Sequence, residues 1–139
     1  MVSYESPMKT LIALLFTLPL TLAVQAQDLV GQTFHANGRL QSTRFTDGAL
    51  ERFIAYYPSG RVQAMGSYRD GRRDGVWKQF DENGAVLAEA HFLNGQRTGT
   101  WEFRDNMNGL MGRLYYNEGQ LSAGEQFNAG GELIAPRPY

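Results

Sequence analysis

The side chains able to do chemistry in this 139-residue chain are few and dispersed. His35 and His91 are its two histidines, and no acidic residue recurs at metal-ligand spacing beside both. Glu89 and His91 are two apart, so they share a face if the segment is a strand, and a surface ligand pair or a solvated polar face would both use that spacing. Arg69-Asp70-Gly71-Arg72-Arg73-Asp74 is a small basic cluster broken by acids, which reads first as a hydrated turn and otherwise as a place where Arg72 and Arg73 could meet a phosphate or an acidic partner. Asp81-Glu82 lead into Asn83-Gly84 and read as turn and surface residues. Ser42, Ser59, Ser67 and Ser122 lack the strand–turn–helix setting of a nucleophile elbow. The glycine-rich spots do not follow a strand and open a helix, so no phosphate-binding loop is implied. The chain has no cysteine, which removes thiolate metal sites and disulfides. The expectation is a protein with no catalytic residue, no cofactor and no metal, whose candidate contact residues are Arg72, Arg73, Glu89 and His91.

What positions these residues is a repeat. Trp77 and Trp101 are 24 residues apart, as are Gly60 and Gly84, Gly71 and Gly95, and Gly75 and Gly99. Val62/Val86, Ala64/Ala88 and Arg73/Arg97 keep the step, and Tyr68/Phe92 and Tyr56/Phe80 keep it in aromatic character. A fixed period of this length marks units that bury their apolar faces only against their neighbours. An aromatic, three residues, Gly, one residue and an aliphatic recur at Phe34-Gly38-Leu40, Tyr56-Gly60-Val62, Phe80-Gly84-Val86, Tyr115-Gly119-Leu121 and Phe127-Gly131-Leu133. After Trp101 the spacing reads as stretched, with Arg104 to Asn108 inserted and Asp105 where an aromatic belongs.

Half of the 16 glycines follow Asn, Asp or Ser, as at Asp47, Asp70, Asn83 and Asn94, and such pairs suit tight hairpin turns. Turns arrive about every 10–14 residues, leaving strands of about five to seven, and no stretch beyond the N-terminal segment has sustained helical periodicity. The fold class is therefore all-β, an antiparallel meander of hairpins. Alternation puts Val62, Ala64, Gly66 and Tyr68 on one face, with Val86, Ala88, Ala90 and Phe92 equivalent to them. The small residues leave room for an adjoining tryptophan, so Tyr68, Trp77, Phe92 and Trp101 are the expected repeat core. An exposed row of these aromatics would instead make a platform for a sugar or a partner. The opposite face, with Gln63, Met65, Ser67, Leu87, Glu89 and His91, reads as mostly polar.

At the N-terminus, Lys9 precedes an apolar run from Leu11 to Leu22, and Val24-Gln25-Ala26 offers small residues for cleavage. These are the parts of a secretory signal peptide, too short for the roughly 20 residues of a membrane span. Residues 1–26 are thus the expected signal, with Met8 a more natural start than Met1, and 27–139 the repeat domain. Its units are about 34–55, 56–79, 80–103 and 104–133, with a tail at 134–139. Thirteen basic against 14 acidic side chains argue against nucleic acid, which calls for a basic stripe.

The segments Tyr56-Tyr57-Pro58-Ser59-Gly60-Arg61-Val62, Gly71-Arg72-Arg73-Asp74-Gly75-Val76-Trp77 and Gly95-Gln96-Arg97-Thr98-Gly99-Thr100-Trp101 resemble the MORN-repeat variant of bacterial proteins, the YwqK-type antitoxin-like family. The resemblance covers about Phe34 to Leu133 and implies an elongated single-layer antiparallel sheet of about four stacked hairpin units with degenerate ends. It also implies antagonism of a toxin by direct binding. Together these readings give an exported, non-enzymatic interaction or scaffold protein, docking another protein through the polar face or an edge of the sheet. Its specific form is a periplasmic immunity-type protein that neutralises a toxin. The alternative is an envelope module that binds carbohydrate or a lipid surface through aromatic and arginine side chains. Oligomeric state and the choice between periplasm and exterior stay open.

Overall fold

The computed structural model describes residues 27–138; the expected signal segment, residues 1–26, lies outside the described residues. Ten strands follow in order: β1 (Leu29–Phe34), β2 (Leu40–Asp47), β3 (Leu50–Tyr56), β4 (Val62–Arg69), β5 (Arg72–Phe80), β6 (Val86–Leu93), β7 (Gln96–Arg104), β8 (Leu110–Asn117), β9 (Gln120–Phe127) and β10 (Leu133–Pro138). They form one open antiparallel sheet in which spatial order equals chain order. The class is all-β, with no helix among the described residues, and the sheet is a stack of hairpins. The strands run from 6 to 9 residues, slightly longer than turn spacing alone suggests.

Two kinds of connection alternate at the two ends of the strands. At one end are two-residue turns such as Asp70-Gly71, with φ of 50° and 73°, repeated at Asn94-Gly95 and Glu118-Gly119. Positive φ at both central residues is the mirror-image turn whose twist matches that of the flanking strands. In β2–β3 the turn is Gly48-Ala49, because Asp47 pairs with Leu50, so the Asp47-Gly48 pair does not itself form the turn. At the other end are five-residue loops closed by paired backbone bonds, as where Gly84 N–H donates to Asp81 C=O and Asp81 N–H to Ala85 C=O. Asp81 Oδ1 also accepts from the amides of Asn83 and Ala85, so the acid before the turn is a turn builder.

The period continues past Trp101 without insertion. Asp105 takes the place of Asp81, with the same side-chain bonds to two loop amides, and Asn108 takes the place of Gly84 at φ 66°. Asn tolerates this left-handed conformation better than most residues. Arg104, paired with Leu110, fills the place that Phe80 fills opposite Val86. The expected insertion at 104–108 is thus a full loop written in polar residues. Tyr115-Gly119-Leu121 is not an instance of the loop motif, since Gly119 lies in a two-residue turn at the other end.

Unequal unit lengths have one cause. Between Met65 and Ser67 the register of β4 with β5 shifts, because Gly75-Val76-Trp77 face the single residue Gly66, and β6–β7 repeats the shift at Ala90, which faces Gly99-Thr100-Trp101. β2–β3 pairs without a bulge, so the first unit is shorter, and β8–β9 shifts by a smaller amount near Leu121. Bulges bend and twist a strand and re-aim its side chains. Here they swing each tryptophan over the preceding strand.

The core is a ladder of rings on one face. Phe53, Tyr68, Trp77, Phe92, Trp101 and Tyr116 follow one another with neighbouring centroids 5.0–6.4 Å apart. Trp77 and Phe92 are buried to 8% exposure. A Cβ added at Gly66 would fall 2.2 Å from the Trp77 ring, so that position must carry hydrogen alone. Trp77 Nε1–H donates to Ser67 C=O, and Trp101 Nε1–H to His91 C=O, each at 3.1 Å. Trp101 is only half-buried, and its ring meets Phe92 at 55° where Trp77 meets Tyr68 at 80°. Ala90 stands where Gly66 stands one unit earlier, and its methyl occupies space that the Trp77 ring uses.

Candidate functional site

Two faces of one sheet are available to a ligand, and they differ in chemistry. On the ring face, guanidinium groups lie over the ladder. Arg44 covers Phe53 and Tyr68 at 5.5 and 5.2 Å, Arg73 covers Trp77 and Phe92 at 4.5 and 5.3 Å, and Arg97 covers Trp101 and Tyr116 at 5.4 and 5.5 Å. The hairpins create this arrangement. Folding about Asp70-Gly71 puts Arg73 opposite Tyr68, and folding about Asn94-Gly95 puts Arg97 opposite Phe92. Each cation is held by the negative face of the rings, and the three arginines remain exposed.

The other face, mostly polar by strand alternation, also carries an apolar patch. Toward β2–β5 it holds an open depression lined by Phe45, Ile54, Met65 and Val76, with Asp47, Arg52 and Lys78 beside them. Met65 is 38% and Val76 43% exposed, so apolar surface faces solvent there. Ser67, on the same side, is buried, and its hydroxyl accepts at 2.8 Å from Nη1 of Arg52, its partner across β3–β4.

Toward β6–β9 the same face carries ion pairs. Glu89 bridges Lys78 at 3.1 Å and His91 Nε2 at 3.4 Å. Glu102 accepts from Arg104 at 2.7 Å and Arg113 at 2.9 Å, and Tyr115 Oη–H donates to Glu125 at 2.8 Å. The hydrogen bonds from Arg113 and then Arg104 hold the Glu102 carboxyl below its ordinary value. The bond to Glu125 pushes the Tyr115 hydroxyl up, because ionising it would discard the donor and face a carboxylate. Glu89, His91, Thr100, Glu102, Arg113 and Tyr115 line a shallow open depression. Among the described residues no three His, Asp or Glu side chains gather as a metal-binding group.

The residues picked out from sequence separate accordingly. Glu89 and His91 meet on the ion-pair half of the outer face. Arg72 and Arg73 do not act together. Arg73 covers the ring ladder, while the Arg72 chain runs against the turn at Gly95, where an added Cβ would sit 3.4 Å from it. Arg69 of the same cluster pairs with Asp74 at 3.1 Å. His35 Nε2 lies 2.8 Å from Tyr56 C=O, tying the first loop to the next unit. Arg39 and Arg61 likewise donate to the neighbouring loop, at Ser59 C=O and Glu82 C=O. Sequence reasoning did not find Arg44 and Arg97 as partners of Arg73. The signal was present in the matched Arg73/Arg97 step and in the mirror position of each arginine across its turn from an aromatic.

Residues 73–94 match a MORN repeat variant. No curated protein matches the chain in sequence. Among solved structures it is similar to part of TarM, at 7% identity and a TM-score of 0.44, covering 64% of this chain and 19% of that one. A variant of S. aureus TarM in complex with fondaparinux, alpha-GlcNAc-glycerol and UDP is similar at 8% identity and a TM-score of 0.38, over 79% of this chain and 21% of that one. The chain thus spans about a fifth of the length of these structures.

Proposed function

We propose that this chain is an exported, non-enzymatic interaction module that docks another protein on the open depression of its outer face. The depression carries the reading. Apolar Phe45, Ile54, Met65 and Val76 form its floor, and Asp47, Arg52 and Lys78 ring it, the arrangement of apolar centre and charged rim found at protein interfaces. A repeat-built sheet suits this use, because a single layer leaves whole faces for contact. The MORN repeat variant at residues 73–94 supports a repeat-based binding module. The non-enzymatic part rests on the openness of the surface where Glu89, His91, Glu102, Arg113 and Tyr115 meet, a shallow depression where catalysis would call for a pocket that closes around a substrate.

The finer reading is an immunity-type protein of the cell envelope that neutralises a toxin. Export rests on Lys9, the apolar run from Leu11 to Leu22 and the small residues before Gln27. Cross-linking and capture from the envelope fraction should recover one protein with the wild type and lose it with Met65→Glu or Val76→Lys, both at exposed positions. Capture unaffected by either variant, with both melting as wild type, would remove the depression from the reading. N-terminal sequencing of envelope protein should begin near Gln27, and an intact N-terminus on cytoplasmic protein would overturn export.

A further inference from the structure

The ring face carries a second binding site, independent of the outer depression: we propose that Arg44, Arg73 and Arg97 form a linear site for an extended acidic peptide with a carboxylate at every third residue. On the outer face, the strand cations Arg52, Arg69, Lys78, Arg104 and Arg113 each meet a carboxylate, whereas Arg72 meets none among the described residues and lays its chain against the turn at Gly95. On the ring face, Arg44 touches Glu51 at 3.2 Å, while neither Arg73 nor Arg97 has a carboxylate within 4.0 Å among the described residues. Both are exposed, in a protein whose overall charge is −1. A guanidinium carries five N–H donors in one plane, so beyond the bond that Arg97 Nη1–H donates to Tyr116 Oη at 3.2 Å each fork keeps donors for a carboxylate, which can accept two of them. The rings also hold the fork in place, so little side-chain freedom is lost when an anion arrives.

Spacing selects the ligand. The three guanidiniums lie over β3–β4, β5–β6 and β7–β8, a repeat of two strands, or about 10 Å. Same-side residues of an extended strand recur at about 6.7 Å and fall out of step. A polyproline II chain rises about 3.1 Å per residue and presents the same side every third residue, at about 9.3 Å. Twist excludes a flat ligand. Neighbouring strands rotate by about 20–25°, so four strands turn the row through about 80–100°. The arginines cannot all face one bilayer, whereas a linear chain, narrow and able to turn about its own axis from one carboxylate to the next, can follow them. The row ends at Arg97, because Leu121 occupies the next equivalent position.

The test compares two peptides of identical composition on the wild-type full chain, one of Glu-Pro-Pro repeats and one with its glutamates in a block. The periodic peptide should bind at least about tenfold tighter, a difference of about 1.4 kcal/mol, and weaken as salt rises. Arg73→Gln and Arg97→Gln should each lose about tenfold, whereas the Met65→Glu and Val76→Lys variants should bind the periodic peptide as the wild type does. Equal affinity for the two peptides overturns the proposal without touching the outer-face reading. So does sedimentation with phosphatidylserine vesicles that depends on the same arginines while the periodic peptide fails to bind. The peptide comparison needs no variant, so it stands even if Arg73→Gln unfolds.

Discussion

At the scale of single residues, the packing of Trp77 against Gly66 is the most demanding contact in the protein. Trp77→Ala should cost about 3–5 kcal/mol, the range for deleting a large buried aromatic. Trp101→Ala should cost less, because Trp101 is half-buried and Ala90 stands in the place of Gly66; equal losses in thermal unfolding would contradict this ranking. Gly66→Ala should destabilise by about 1–3 kcal/mol through overpacking, since its methyl would fall 2.2 Å from the Trp77 ring. Glu102 sets an acid limit. Its carboxyl titrates below 4.5 in the folded protein because Arg113 and Arg104 donate to it, whereas the unfolded chain takes up the proton near 4.5. Its contribution is therefore complete above about pH 4.5 and lost as pH falls through the folded value. Partial exposure keeps that contribution under about 1 kcal/mol. Melting temperature measured across this range should fall more gently in Glu102→Gln than in the wild type.

At the scale of elements, turn chemistry made the hairpins legible, because Asp70-Gly71 and Asn94-Gly95 state both the connection and its handedness. Glu118-Gly119 was harder to read, since Glu is not a turn residue and its φ of 48° is set by the strands around it. Glu118→Asn should therefore stabilise the β8–β9 hairpin by about 0.5–1 kcal/mol, a rise visible in thermal unfolding and absent if the turn relaxes in solution. Strand alternation placed Tyr68, Phe92 and their small neighbours on one face. It did not show that Gly75 and Gly99 sit in bulges, because a Gly after Asp or Thr looks like any other local break. Nor did it reveal Asn108 in a glycine's place, since a residue-type match misses a conserved backbone shape. The contact surfaces were least legible. Phe45 and Ile54 come from the degenerate first unit, so no period pointed to them, and the depression exists only once β2 to β5 lie side by side.

At the scale of the whole molecule, every strand pairs only with its neighbours in sequence, so loss of an end should be felt locally. Stopping the chain after Phe127 removes β10 and no ring of the ladder. Such a variant should keep its tryptophan fluorescence and most of its melting temperature, whereas stopping before Leu110 removes Tyr116 and should loosen the cover of Trp101. Wholesale collapse from the shorter deletion would contradict nearest-neighbour stability. The same strand order has a mechanical consequence. The first and last strands lie at opposite edges of the sheet, so tension between them acts across the strands, along the hydrogen bonds themselves. Each ladder is then opened from one end like a zipper rather than sheared all at once. Under load the protein should pay out length one hairpin at a time at low force, with the Trp77 contact as the last catch to release.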